Sequence, residues 1–220
     1  HQCFRRQRQM CIRDSVKGGS GKSTVATNLA VALSHFRHDV LLIDTDSQQT
    51  SFNWHQRRVQ ETENVPVVHC ERQNGKIIDA VKDKSTRYQD IVIDAGGYDS
   101  VELRSALMVA DTIVAPVRPS QADLETFGKL SELITNANSM RHIEARTLVV
   151  VSMAPTHHLV TEDEEAREFL SEYTNFDVAK QAIHDRKVYR DAMYEGKGVL
   201  ELGNEAAMLE IAALAKDIVK

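Results

Sequence analysis

The chain has 220 residues, enough for one well-buried α/β domain and too few to require two. Hydrophobic residues make up 42% and charged residues 27%, no apolar run reaches membrane-spanning length and no secretory signal is recognisable, so we expect a cytoplasmic globular protein. The net charge of -5 excludes a global attraction to nucleic acid or anionic lipid, and binding to either would need a local basic patch.

Residues 1–15 differ in character from the rest of the chain. A glycine-rich phosphate loop, of the kind that follows at 17–24, needs a buried strand running directly into it, and such strands are near-continuous apolar runs. The segment 10–16 occupies that place but contains Arg13 and Asp14. We therefore expect residues 1–15 to be foreign sequence or a disordered leader in place of the first strand, and 16–220 to be the single domain. The alternative is a native basic arm in which Arg5, Arg6 and Arg8 touch nucleic acid.

The stretch 17–24 has the composition of a phosphate cradle at the start of a helix. Glycines let successive backbone N–H groups face one anion, and the following helix adds the positive end of its dipole. We predict that Lys22 reaches the β- and γ-phosphates of a nucleoside triphosphate and that the Ser23 hydroxyl holds Mg²⁺. The alternative is a turn that caps the helix and binds nothing. A strict Walker A loop would carry glycine in place of Val16, whereas this chain adds a second lysine, Lys17.

Two apolar runs end in carboxylates. A buried strand over 39–43 leads into Asp44 and Asp46, and the run 90–94 ends in Asp94 as a Walker B strand does. Because the carboxyl ends of parallel strands lie on the ligand side of an open sheet, we expect all three carboxylates near Mg²⁺ or a catalytic water. The alternative for Asp94 is that it only starts the turn 95–97.

Helical and strand patterns alternate along the remaining chain. This alternation predicts a doubly wound, mostly parallel α/β sheet with helices on both faces. The predicted elements are a helix over 21–36, a surface helix at 49–62, a strand at 65–69, a helix at 75–82, a strand at 111–117 stopped by Pro116 and Pro119, a helix capped by Ser120, strands at 146–153 and 176–183, and a closing helix from about 205.

The most basic short run of this part of the chain is 184–190. Arg186, Lys187 and Arg190, together with Lys180, are our candidate DNA contacts. The alternative is an ordinary solvated helix start, because basic clusters are often only surface.

The doubled-lysine loop resembles the deviant Walker A signature of the ParA/MinD family. From Lys17 onward the chain resembles small ParA-type partition ATPases, in particular the ParF-like group without an amino-terminal DNA-binding domain. Besides the loop, the motifs that carry this resemblance in family order are LLIDTDSQ at 41–48, DIVID at 90–94, APVRPS at 115–120, RKVY at 186–189 and GVLE at 198–201.

The resemblance implies a P-loop NTPase fold of the deviant Walker A type and an ATP-driven dimerisation switch. Lys17 would cross to the partner's phosphates, Asp46 would orient the attacking water, Ser23 and Asp94 would hold Mg²⁺, and Asp44 would lie near the metal. Lys17, Lys22 and Asp46 would thus be catalytic, and the nucleotide would lie on Gly18, Gly19, Ser20, Gly21, Lys22, Ser23 and Thr24.

The implied partners are a second copy of the chain, non-specific DNA bound by the ATP dimer on the nucleoid, and a small centromere-binding protein of the ParB or ParG kind that stimulates slow hydrolysis. No membrane partner is expected. The implied function is plasmid or chromosome partitioning, with ATP and Mg²⁺ as cofactors.

Three alternatives belong to other classes. A MinD-like membrane switch would need a cationic amphipathic closing helix, but this one carries only Lys216 and Lys220 as cations. The doubled lysine argues against a metabolic P-loop ligase or transferase. An iron–sulfur reductase is disfavoured because Cys70 is the only cysteine beyond residues 1–15, where Cys3 and Cys11 lie.

Overall fold

The structure is a computed structural model that describes residues 8–12, 19–61, 64–96, 99–157 and 162–219. Within these ranges the strands are β1 (Arg8–Ile12), β2 (Val40–Asp44), β3 (His69–Arg72), β4 (Asp90–Asp94), β5 (Thr112–Val117), β6 (Arg146–Ala154), β7 (Asp177–Val178) and β8 (Ile183–His184). The helices are α1 (Lys22–His35), α2 (Thr50–Glu61), α3 (Ile78–Ser85), α4 (Val101–Val109), α5 (Gln121–Ser139), α6 (Glu162–Ser171), α7 (Lys187–Glu195) and α8 (Glu205–Val219), with a 3-10 turn at Val199–Glu201.

The strands form one parallel sheet in the order β3-β2-β4-β1-β5-β6-β7, and β8 also pairs with β6. Successive residues of a strand face opposite layers. In β1, Met10 and Ile12 pack into the layer that contains α1 and α8, while Cys11 packs into the layer that contains α4 and α5. The predicted doubly wound α/β fold with helices on both faces is confirmed.

Strand β1 corrects our expectation that the first strand is missing. It lies in the middle of the sheet between β4 and β5, and Met10, Cys11 and Ile12 are fully buried. The strand ends at Ile12, before the charges of the segment 10–16 that we had assigned to it. At its other end Arg8 pairs with Asp90 at 3.6 Å, so this arginine is part of the sheet and not of a free arm. A foreign origin for residues 1–15 stays a prediction.

Several other predicted elements were misplaced. Strand β3 begins at His69 and not at 65, because pairing with β2 selects that register. Helix α2 is a surface helix with one buried face, since Val59 is exposed while Trp54 is fully buried against the α1 layer. Pro116 does not stop β5 but lies inside it. The described ladder between β5 and β1 ends at Val114, before this proline. The predicted strand at 176–183 is two short strands, β7 and β8.

Other predictions are confirmed. Ser120 caps α5, and its side chain accepts a hydrogen bond from the Asp123 amide. Helix α8 buries Ala207, Ile211, Leu214 and Ile218. Among the described helices, none has both the length and the apolar character needed to cross a bilayer.

Candidate functional site

The loop between β1 and α1 has the backbone that a phosphate cradle requires. Gly19 and Gly21 have backbone φ angles of +102° and +82°, which residues other than glycine rarely adopt. Gly21 is also tightly packed, since a Cβ there would lie 3.2 Å from Ser152 Oγ. Helix α1 begins at Lys22, and the first N–H groups of a helix have no acceptor within it. Loop and helix start can therefore present several donors to one anion. Lys17 and Gly18 lie outside the described residues.

Lys22 and Asp46 meet in front of this loop. Lys22 Nζ lies 3.1 Å from Asp46 Oδ2, and the two side chains are 14% and 15% exposed. Burial alone would raise the pKa of Asp46, but the Gln48 amide and the Lys22 charge hold it below its ordinary value. Asp46 is therefore an anionic acceptor at neutral pH, suited to orienting a water molecule.

The position of Asp46 depends on a glycine that the sequence analysis did not single out. A Cβ on Gly96, which follows β4, would lie 2.4 Å from Asp46 Cγ and 2.5 Å from Asp46 Cα. No real Cβ contact is that short, so only glycine allows the two loops to lie together.

Asp44 holds the loop that carries Asp46. Its Oδ1 accepts from the Asp46 amide at 2.9 Å, and its Oδ2 accepts from the Phe52 amide at 2.8 Å. Burial, with the nearby charge of Asp94, raises the pKa of Asp44 to about 6. Because both oxygens are used by the backbone, Asp44 fits a positioning role better than the predicted place beside the metal.

Asp94 is the carboxylate that fits a metal ion. It is fully buried, and its Oδ2 accepts from Ser51 Oγ at 2.7 Å. Its Oδ1 has no hydrogen-bond partner among the described residues, which is costly for a buried carboxylate. Burial raises the pKa of Asp94, whereas the charge of Lys22 and the hydroxyls of Ser51 and Ser23 lower it. A cation or its bound water would satisfy the remaining oxygen.

The donor set suits Mg²⁺ held together with phosphates. Mg²⁺ commonly uses one or two carboxylates plus substrate phosphates and seldom a protein cage. Within the described ranges, no group of three or more His, Cys, Asp or Glu side chains that could hold a metal occurs.

A cavity of about 480 Å³ extends from the phosphate loop, within the usual size of small-molecule sites. One side is formed by the loop and the first turn of α1, including Ser23 and Thr24. The other side is formed by residues of β8 and α7 and the turn between them, namely His184, Asp185, Arg186, Tyr189, Arg190 and Met193. The sequence analysis missed this wall. Two signals were available: the motif RKVY at 186–189, and the rule that ligands lie at the carboxyl ends of parallel strands, where β8 ends.

The candidate DNA contacts are not a free basic patch. Arg186 donates to Glu210 at 2.8 Å, Lys187 pairs with Asp191 at 2.6 Å, and Arg190 pairs with Asp185 at 2.5 Å. Each positive charge is therefore balanced by an acid nearby. Arg186 and Arg190 also line the cavity, so the structure groups them with the phosphate loop.

Arg118 is a further residue of the site that the sequence analysis did not single out. It follows β5, and its Nη2 donates to the Gly19 carbonyl. Its Nε is buried and has no hydrogen-bond partner among the described residues. Arg118 thus brings a guanidinium group against the phosphate loop from the neighbouring strand.

Comparisons with known proteins identify the family of the chain. A family model described as ATPase MipZ matches residues 10–145, more than half of the chain. The maintenance of carboxysome distribution protein A of Halothiobacillus neapolitanus is 26% identical over 209 residues, covering 93% of this chain and 94% of the relative. Protein ParA of Rhizobium radiobacter is 27% identical over 120 residues, covering 54% of this chain and 53% of the relative.

Solved structures show the same fold. The McdA–ATP complex from Cyanothece has a TM-score of 0.81 at 15% identity, covering 97% of this chain and 96% of that chain. The cell division ATPase MinD of Pyrococcus furiosus has a TM-score of 0.74 at 18% identity, and the match covers 96% of this chain and 98% of that chain. Since the family model spans most of the sheet and its phosphate loop, the chain belongs to the ATPase MipZ family of ParA/MinD-type deviant Walker A ATPases.

Proposed function

We propose that this ATPase is a dimerisation switch that positions cargo along DNA. The observation that carries the ATPase part of the proposal is the Lys22–Asp46 pair in the cavity lining, together with a buried Asp94 that has one oxygen without a hydrogen-bond partner among the described residues.

The proposed roles follow from this arrangement. Backbone amides of 19–24 and the Lys22 ammonium group hold the phosphates. Ser23 and Asp94 hold Mg²⁺, which when bound neutralises charge on the β- and γ-phosphate oxygens. The phosphates would compete with Asp46 for Lys22, so that nucleotide binding frees the carboxylate to orient a water molecule. Lys17 would complete the site of a second copy.

The cargo is proposed from the relatives. Two are named for the distribution of carboxysomes and one is named ParA. We propose that the ATP dimer binds DNA without sequence preference and that a small partner protein on the cargo, centromere-binding in the partitioning case, stimulates slow hydrolysis. One subunit has few unbalanced cations around α7, whereas two copies double the number of phosphates that can be neutralised.

The two lysines separate nucleotide binding from assembly. Lys22→Ala removes the cation on the phosphates and should abolish tight nucleotide binding. Lys17→Ala should leave binding by the single chain and prevent the ATP dimer. Fluorescent-nucleotide titration and sedimentation with Mg-ATP measure the two properties. Equal loss of affinity in both variants would contradict the cross-dimer role of Lys17.

DNA binding is tested at Lys187, because Arg186 supports the cavity wall. Lys187 is 79% exposed, so Lys187→Glu should reduce ATP-dependent retention on non-specific duplex DNA while dimerisation persists. Lys82→Glu, on the exposed face of α3, is the matched control. Unchanged retention would move the contact to another patch, and ATP-dependent recruitment of the parent to anionic vesicles would favour the membrane switch.

A further inference from the structure

A buried carboxylate lies behind the cavity wall opposite the phosphate loop. Glu210 on α8 is 5% exposed and does not line the cavity. It accepts hydrogen bonds from three residues that do: His184 Nδ1 at 2.8 Å, Arg186 Nη2 at 2.8 Å and Tyr189 Oη at 2.8 Å. One acid on a different helix therefore orients three side chains of this wall.

The charges of this group determine where the imidazole proton lies. An ionised carboxylate only accepts, so His184 Nδ1 and the Tyr189 hydroxyl must both donate to it. The Arg186 guanidinium lies against the same carboxylate. Burial and the charge of Glu210 raise the pKa of Tyr189, which keeps its proton in place. In a neutral imidazole whose proton lies on Nδ1, the other ring nitrogen, Nε2, is an acceptor.

An acceptor in this wall would distinguish purine bases. The phosphate loop occupies one side of the cavity, so a nucleotide held there extends its nucleoside toward the remaining wall. Adenine carries an amino group at position 6, which donates, whereas guanine and hypoxanthine carry a carbonyl oxygen there, which accepts.

We propose that His184 is a specificity-determining residue for adenine and that Glu210 is the positioning residue that holds it in the Nδ1–H tautomer. A 6-amino purine donates to Nε2, and a 6-oxo purine places an acceptor against an acceptor. The inference rests on the proposed nucleotide site and adds to it the reason for base choice. Arg186 also donates to Glu210 and so belongs to the same arrangement.

The test compares three nucleotides that differ at position 6. Position 6 carries an amino group in ATP, an oxygen in inosine triphosphate and a hydrogen in purine riboside triphosphate. Each nucleotide competes with a fluorescent ATP analogue for binding to the full chain. An unpaired buried polar group costs about 1–3 kcal/mol, so the parent should prefer ATP to inosine triphosphate by roughly 5- to 150-fold. Purine riboside triphosphate should lie between them.

Two variants identify the residues responsible. In Glu210→Gln the side-chain amide can donate to Nδ1, which moves the proton to Nε2, so the preference should shrink or reverse toward inosine triphosphate. In His184→Ala the two nucleotides should bind with similar affinity. Glu205→Gln makes the same carboxylate-to-amide change at an exposed position of α8 and should keep the parent ratio.

The outcomes separate this inference from the proposed function. A parent that binds no triphosphate contradicts the nucleotide site itself. A parent that binds ATP and inosine triphosphate equally, or variants that keep the parent ratio, would overturn the base-choice inference and leave the nucleotide site standing. If Glu210→Gln lowers the thermal midpoint too far for titration, His184→Ala carries the test, since His184 is 28% exposed in the wall.

Discussion

At the residue scale, Asp46 divides its oxygens between two partners. Oδ1 accepts from the Gln48 amide at 2.9 Å, and Oδ2 accepts from Lys22 Nζ at 3.1 Å. The first bond fixes the carboxylate on its own loop, and the second can be exchanged when phosphate approaches Lys22. Asp46 is thus held at one oxygen and available at the other.

We expect Asp46→Ala to stop hydrolysis while ATP stays bound. A group that orients water acts on the chemical step more than on the ground state, and such groups contribute on the order of 10²–10⁴-fold to kcat. Phosphate release under saturating Mg-ATP gives kcat, and the variant should accumulate as an ATP dimer. Asp79→Ala, an exposed carboxylate in α3, is the control. Hydrolysis at the parent rate would exclude Asp46 as the catalytic carboxylate.

Gly96 provides a steric test of the same loop. In Gly96→Ala the new methyl group must displace Asp46, because a Cβ at this position would lie 2.4 Å from Asp46 Cγ. We expect a loss of kcat and a fall of about 1–3 kcal/mol in the free energy of unfolding, as for other overpacked sites. In contrast, a Cβ on Gly128 in α5 meets only Tyr173 Oη at 3.7 Å, so Gly128→Ala should not destabilise the protein. Parent-like hydrolysis by Gly96→Ala would show that the Asp46 loop adjusts freely.

At the element scale, hydrogen bonds and an ion pair join α2 to the turn that follows α7. Arg58 is 4% exposed and donates to Glu201 Oε2 at 2.9 Å and to Oε1 at 2.8 Å. Trp54 Nε1 donates to the Lys197 carbonyl at 3.0 Å. Helix α2 begins directly after the Asp46 loop, and α7 lines the cavity, so this pair joins the two sides of the site.

Breaking this buried ion pair should be costly. Glu201→Gln leaves the Arg58 guanidinium buried without its counter-charge, and removing one partner of a buried pair typically costs about 3–5 kcal/mol. Urea unfolding at neutral pH measures the change. The control is Asp83→Asn, which removes an exposed pair with Arg87 at 3.3 Å and should cost less than about 0.5 kcal/mol. Equal losses in the two variants would contradict the structural role of the Arg58–Glu201 pair.

At the scale of the whole molecule, a histidine should couple stability to pH. Burial lowers the pKa of His55 from 6.5 and outweighs the hydrogen bond to the Val68 backbone, which raises it, while the charges of His69 and Arg58 lower it further. As pH falls below about 6.5 the unfolded chain takes up the proton first, so the folded state loses stability. The loss from one such group is at most about 1.4 kcal/mol per pH unit.

We therefore expect the free energy of unfolding to decrease between pH 7 and 5.5, and His55→Gln to decrease less over the same interval. Urea titrations at several pH values give this slope for both proteins. His142→Gln, on the loop before β6, controls for removal of a histidine as such. A slope that is the same in the parent and in His55→Gln would assign the pH dependence to other groups.

Much of the fold and part of the site could be read from the sequence. The glycine spacing before Lys22 indicates a phosphate loop, because glycine allows the backbone conformation that such a loop needs. The apolar runs that end in Asp44 and Asp94 indicate two buried strands with a carboxylate at the end of each. The order of these motifs was sufficient for the family resemblance. Strand β1 was not predicted, and β3 begins four residues later than predicted, because pairing with neighbouring strands decides which residues join the sheet.

The tertiary structure decided what depends on contacts between distant residues. The run 184–190 is basic as a sequence, but Glu210 on α8 and the acids beside it balance its charge and turn it toward the cavity. Gly96 and Asp46 are 50 positions apart, and Arg118 and Gly19 are 99 apart, yet each pair is in contact. Charge pairing and steric contact act between residues that are close in space. The sequence therefore shows which groups the chain has, and only the packing of the chain determines which of them are in contact.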